Sequence, residues 1–243
     1  MPIVIKNLTK KYDDVIAVNN INLEIKDNVL FALLGVNGAA KTTLIKMLST
    51  LLKPTSGEAY INDLSIIKNE AEVKEIIDIS MQETAIGRKL TVEENIVFYG
   101  ELNGLSKEEI SEVKSYLYKV FSLDKVKNRK SCNLSGGWQR KLSIALALIS
   151  KPKVLFLDEP TLGLDVISRR ELWKTIESLK DKMTIILTTH YMEEAESLSS
   201  RIGIMSEGNL LFVGTKEELF THTNRNSVEE GFISVVSGGK NYE

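Results

Sequence analysis

The sequence predicts an α/β fold with a parallel core sheet, an N-terminal antiparallel β subdomain and an inserted helical subdomain. Three observations predict it. Residues 29–34 (VLFALL), 154–157 (VLFL) and 184–188 (TIILT) are short, almost continuously apolar runs, the pattern of strands buried on both faces. Residues 3–8 (IVIKNL) and 21–25 (INLEI) instead alternate apolar and polar, as strands with one wet face do. Residues 85–130 carry two helical patterns and no strand, which reads as an insertion into the α/β frame.

The first buried strand is followed at once by Gly35-Val36-Asn37-Gly38-Ala39-Ala40-Lys41-Thr42-Thr43. A helix over 42–52 comes next, apolar at 44, 45, 47, 48, 51 and 52. Strand, glycine loop, lysine, hydroxyl and helix form the layout of a phosphate-binding loop. Successive backbone N–H groups curl around an anion, and the positive end of the helix dipole faces it. Lys41 supplies a point charge for outer phosphates, and Thr42 a hydroxyl for Mg²⁺. The motif calls for glycine immediately before the lysine, and this chain has Ala40 there. If that position needs φ > 0, an L-residue costs roughly 1–2 kcal/mol. Taken entirely from binding, that is about tenfold in affinity.

The remaining elements follow in order. Tyr12 falls in the turn between the first two strands, beside Lys10 and Lys11, as a surface aromatic or a ring on which a purine stacks. Lys53-Pro54-Thr55-Ser56-Gly57 is a turn, 58–61 a short strand, 69–74 a helix and 76–80 a strand. Gln82 therefore sits just past a strand end, where ligands meet α/β sheets. Thr91 caps one inserted helix. Ser106 with Glu109 forms a capping box for a second, which runs to about Phe121.

Asn133-Leu134-Ser135-Gly136-Gly137-Trp138-Gln139 precedes a helix that is apolar almost throughout 142–149. Ser135 is its expected cap, and Gly136 and Gly137 leave its first N–H groups open, a second anion-ready helix N-terminus. The strand at 154–157 ends in Asp158-Glu159-Pro160. Two adjacent acids beside a core are costly unless a metal or phosphate site uses them. Asp158 suits Mg²⁺ through water, and Glu159 suits general-base work on an attacking water. Thr161-Leu162-Gly163-Leu164-Asp165 turns into a helix over 166–180. The strand at 184–188 ends in Thr189-His190, at the same sheet edge as Asp158, where His190 could donate to a terminal phosphate. A helix at 192–198, a hairpin of 202–205 and 210–213 about Ser206-Glu207-Gly208-Asn209, and a helix at 216–220 complete the pattern. Periodicity leaves the stretch beyond Thr221 unassigned.

Composition narrows the class. The 243 residues are 43% apolar and 26% charged, ordinary for one large globular domain. The net charge of −2 gives no basic excess, so nucleic acid is not favoured as a partner. The one cysteine, Cys132, permits no internal disulfide and suits a reducing compartment. The N-terminus lacks the order of a signal peptide, and no apolar run approaches the ~20 residues of a membrane span. Any membrane role therefore runs through a partner.

These motifs, in this order and rough spacing, resemble an ATP-binding cassette (ABC) ATPase, a P-loop NTPase of the ABC type. The resemblance covers about 6–219, and its fine pattern is similar to the nucleotide-binding subunits of bacterial drug-resistance-type exporters. It implies one cassette over 1–220, with 85–130 as helical insertion, and a short extension at 221–243. It further implies that Tyr12 stacks on adenine and that Val18, Gly35, Asn37, Gly38, Ala39, Ala40, Lys41, Thr42 and Thr43 surround the nucleotide. Thr42, Gln82 and Asp158 would serve Mg²⁺, Glu159 would be the general base, and His190 would contact the γ-phosphate. Ser135, Gly136, Gly137 and Asp165 would meet the nucleotide across a head-to-tail dimer of cassettes. The implied partner is a separate transmembrane permease, which would place the chain at the cytoplasmic face of the cell membrane. Two other readings are a nucleotide-binding module with little turnover because of Ala40, and an ABC ATPase of DNA repair or translation. The second lacks the coiled coils, zinc cysteines or tandem cassettes usual there.

Overall fold

The computed structural model describes residues 3–238. Strands β1 (Ile3–Tyr12) and β2 (Val15–Ile25) pair antiparallel and run well beyond the segments with visible alternation. The register shifts between Ile5 and Leu8 and again around Lys10, and Asn7 and Asn20 both lie at positive φ. Such bulges break the two-residue period, which is why the sequence pattern shows only part of each strand. After β3 (Leu30–Leu34) and α1 (Lys41–Leu48), the strand β4 (Ser56–Ile61) pairs with β1. The two-residue β5 (Leu64–Ser65) closes this four-stranded sheet at its edge. Helix α1 ends at Leu48 rather than near 52, because Thr50 turns the chain at φ 62°.

The second sheet is built by β3 with β6 (Ile77–Ser80), β7 (Val154–Asp158), β8 (Thr184–Thr189), β9 (Arg201–Ser206) and β10 (Asn209–Gly214). Its order is β10-β9-β3-β8-β7-β6, parallel except for the edge strand β10. Both faces are covered. Leu30, Ala32 and Leu34 join one core, while Phe31 and Leu33 join the other. That two-sided burial is the physical origin of the unbroken apolar runs. One face packs on α1 and the antiparallel sheet. The other meets the helices α3 (Val92–Leu102), α4 (Lys107–Phe121), α5 (Gly136–Ala147) and α6 (Val166–Glu177).

The insertion is helical as expected. Thr91 with Glu94 and Ser106 with Glu109 form capping boxes at α3 and α4. Helix α2 (Glu70–Ile76) takes Ile76 from the strand that the sequence suggested. After α7 (Met192–Leu198) and α8 (Lys216–Thr223), the unassigned stretch forms α9 (Val228–Val236). Ser227 accepts a bond from the Glu230 N–H at its start, and Val228 and Phe232 are buried in the helical core. The end of the extension, 239–243, lies outside the described residues.

Candidate functional site

The parallel strands β3, β6, β7 and β8 all point their carboxyl ends to one edge, and the loops there meet. β3 delivers Gly35, whose N–H donates to Thr189 O at 3.2 Å. A Cβ on Gly35 would lie 2.5 Å from Met205 O, so only glycine fits against β9. Gly38 (φ 85°) and Ala40 (φ 74°, ψ 18°) both take the left-handed conformation, and α1 begins at the next residue. The Lys41 ammonium folds back over the loop, donating to Gly35 O at 2.7 Å and Val36 O at 3.2 Å, with Glu159 Oε1 at 3.2 Å.

Ala40 does take the φ > 0 conformation that a glycine there would adopt freely, so its backbone carries the strain of about 1–2 kcal/mol expected of an L-residue.

β7 carries Asp158 into the same corner, fully buried. Thr42 Oγ1 lies 3.0 Å from both carboxylate oxygens, and Thr188 Oγ1 donates to Oδ1 at 2.6 Å. Glu159 follows at φ 47°. Its N–H is held by Thr188, at 3.0 Å from Oγ1 and 3.2 Å from the main-chain oxygen. The Glu159 carboxylate then spans two cations or potential cations: Lys41 on Oε1, and His190 Nδ1 at 2.8 Å from Oε2. Behind these side chains lies Arg140 of α5, buried, donating to Pro160 O at 2.8 Å and Asp158 O at 2.7 Å. Burial pulls its pKa down to about 10, against the pull of the nearby Asp158, Glu194 and Glu159 carboxylates, so it stays charged at neutral pH.

A cavity of about 720 Å³ opens in front of this corner, within the range of small-molecule sites. Asn37, Gly38, Ala39, Ala40, Lys41, Thr42, Thr43, Gln82, Glu159 and His190 line it, so most of the expected residues come together. Others do not. Val18 is fully buried in the core beneath the antiparallel sheet and cannot touch a ligand, which corrects its place in the site. Gly35 and Asp158 stand behind the wall. Tyr12 ends β1 opposite Val15, with the Lys10 ammonium 5.1 Å from its ring, at the rim rather than on the lining.

Ser135, Gly136, Gly137 and Asp165 form a separate exposed face. Leu164 lies against Gly136, Ser168 lies against Gly137, and Leu162, Val166 and Ile167 stand exposed around them. Ser135 holds the cap position of α5, but its hydroxyl bonds no helix N–H. The Gln139 amide instead ties the loop to Ser131 O and Leu134 O. Asp165 caps α6, accepting from the Ile167 and Ser168 N–H groups at 3.0 Å. The Ser168 hydroxyl and these N–H groups hold its carboxyl below the usual range.

Several lining residues escaped sequence reasoning: Val15, Ile16 and Ala17 of β2, Leu162, and Glu207-Gly208 of the β9–β10 turn. Val15 and Ile16 are adjacent apolar residues exposed on a strand, a signal that was available. Glu207-Gly208 gave none, since the turn reaches the site only because Gly208 packs under Ala17 O.

Oxygen donors dominate the Asp158 corner, and among the described residues no cluster of three His, Cys, Asp or Glu could hold a metal alone. That donor set fits Mg²⁺, which takes one or two protein oxygens and completes its shell with phosphates and water.

A family model described as ABC transporter matches residues 18–162, well over half of the chain. The chain belongs to the ABC transporter family. It has the α/β fold of an ABC ATPase cassette. Human phospholipid-transporting ATPase ABCA3 is 42% identical over 217 residues, 88% of this chain and 13% of that protein. The probable multidrug ABC transporter ATP-binding protein YbhF of Escherichia coli K12 is 34% identical over 237 residues, 95% of this chain and 41% of that protein. The chain thus spans less than half the length of either relative. Among solved structures, the dimeric post-hydrolysis state of the ATP-binding cassette MJ0796 with ADP and Pi superposes at TM-score 0.78. It shares 27% identity and covers 88% of this chain and 98% of that one. Among the described residues no helix is long and apolar enough to cross a membrane.

Proposed function

We propose that this ABC cassette hydrolyses ATP with Mg²⁺ to power an exporter whose transmembrane permease is a separate subunit. The observation that carries the reading is the Lys41–Glu159–His190 chain on the wall of a phosphate-loop cavity, with Thr42 on Asp158 beside it. Lys41 and the loop N–H groups bind the outer phosphates. Thr42, Asp158 and Gln82 would hold Mg²⁺, which would supply positive charge to the phosphates. Glu159 takes a proton from the water that attacks the γ-phosphorus. As the new P–O bond forms, the bond to ADP breaks, and His190 steadies the transferred phosphate. Tyr12 at the rim, with Val15 and Ile16, offers apolar surface for the base.

The exposed Leu162, Val166 and Ile167 around Ser135, Gly136, Gly137 and Asp165 support a second cassette docking there, so that these residues reach its nucleotide. The unit is one domain over 1–220 with 85–130 as the insertion that meets the permease, and 221–243 as an extension attached through α9. Membrane contact is through the permease alone, at the cytoplasmic face, and no nucleic acid is involved. The relatives' names, a phospholipid-transporting ATPase and a probable multidrug transporter protein, support phospholipids or drugs as cargo.

Phosphate release is measured with ATP, with and without Mg²⁺, alongside sedimentation. Mg²⁺-dependent turnover and ATP-driven dimerisation are expected. ATP binding without turnover, even with a permease, would overturn the motor reading and leave a nucleotide-binding module.

A further inference from the structure

We propose that Arg140 is a positioning residue that locks the loop carrying Gln82 to the turn carrying Glu159, so that displacing one displaces the other. The proposal rests on the reading of Glu159 as the general base.

The β6–β7 ladder ends at Ser80 opposite Leu157. The next residues along each strand, Met81 and Asp158, are where the two loops part. Arg140 spans that gap. Its Nη1 donates to the Met81 and Gln82 carbonyls, the latter at 3.3 Å, its Nη2 to Asp158 O at 2.7 Å and its Nε to Pro160 O at 2.8 Å. The last two carbonyls bracket Glu159. That residue sits at φ 47°, a conformation a glutamate keeps only when its surroundings impose it. Thr188 holds the Glu159 N–H from one side, and Arg140 holds the flanking carbonyls from the other. Among the described residues no hydrogen bond joins the Arg140 side chain to a carboxylate. Its donors go to main chain, the pattern of a group that shapes backbone.

The fork geometry matters. Guanidinium presents donors in several fixed directions within one plane, whereas an ammonium is a compact point charge. A lysine at 140 would keep the charge and lose simultaneous contact with both loops. Ser80 Oγ and Ser143 Oγ, 3.1 Å apart, fasten α5 to β6 independently, so the helix itself would stay in place.

The test is Arg140→Lys, measured by amide hydrogen exchange and by ATP turnover in the same chain. In the variant, amides of 82–84 and those of Glu159, Thr161 and Leu162 should exchange at least tenfold faster together, while 154–157 and α5 keep wild-type protection. kcat should fall tenfold or more with KM for Mg-ATP within about threefold. Unchanged exchange in both loops, or a uniform loss across the sheet, overturns the proposal. If the variant does not fold, wild-type exchange across a denaturant series decides. Openings of the two loops with one shared free energy support the lock, and unrelated openings overturn it. If the wild-type protein shows no turnover, the general-base reading falls, and the exchange result still decides whether Arg140 joins the loops.

Discussion

Lys41 Nζ lies 3.2 Å from Glu159 Oε1, and both side chains are more than nine-tenths buried. The lysine that would meet outer phosphates is thus paired with the acid that would take the proton. On the proposed reading, polyphosphate entering the cavity would compete for Lys41 and leave Glu159 with His190 at 2.8 Å.

Glu159→Gln should therefore separate binding from chemistry. Loss of a general base lowers turnover by about 10²- to 10⁴-fold. Affinity for Mg-ATP should hold or rise, because a buried carboxylate no longer competes for Lys41. Phosphate release and calorimetric titration check this. Turnover within threefold of wild type would remove Glu159 from the base role.

Ala40→Gly tests the preformed loop. Ala40 sits at φ 74°, and if folding alone sets that conformation the glycine variant should bind Mg-ATP within about threefold of the wild type. Fold stability should change by less than about 1 kcal/mol, as relief of left-handed strain offsets glycine's added freedom when unfolded. A tenfold gain in affinity would instead place the alanine methyl against the phosphates.

Glu194 provides a pH signature. It is fully buried, accepting from Thr161 Oγ1 and from Trp173 Nε1, each at 2.9 Å. Burial above all, with Glu159 adding repulsion, pushes its pKa above the ordinary 4.5. A raised acid keeps its proton in the folded chain at a pH where the unfolded chain has released it. Stability therefore falls as pH rises from about 4.5 through the folded value. Glu194→Gln keeps an acceptor for Thr161 and Trp173 and removes that dependence. Its urea midpoint should gain on wild type as pH rises from about 4.5 through the folded value, with the smallest gap at the acid end. A gap that shrinks with rising pH would refute the assignment.

The order of elements and the chemistry at their ends were legible in the sequence. The apolar runs of β3, β7 and β8, the loop into Lys41 and Thr42, and the acids Asp158 and Glu159 are local patterns. A strand's period and the residue that terminates it are set by neighbours along the chain. The capping boxes at Thr91 and Ser106 are local for the same reason. Helix α9 was not legible, because it forms by packing Val228 and Phe232 into the helical core, more than by any pattern of its own. Val18 looked like a site residue and is core, since bulges in the β1–β2 pair decide which side chains face inward. Tertiary structure alone decided what stands beside Glu159. Strand order β3-β8-β7-β6 brings Lys41 and His190 onto the Glu159 carboxylate and Thr188 and Arg140 onto the main chain about it, and folds Glu207-Gly208 over β2 as a cavity wall. A one-dimensional pattern specifies which strands exist and leaves open which become neighbours, because that choice is made by the packing of both faces of the sheet at once.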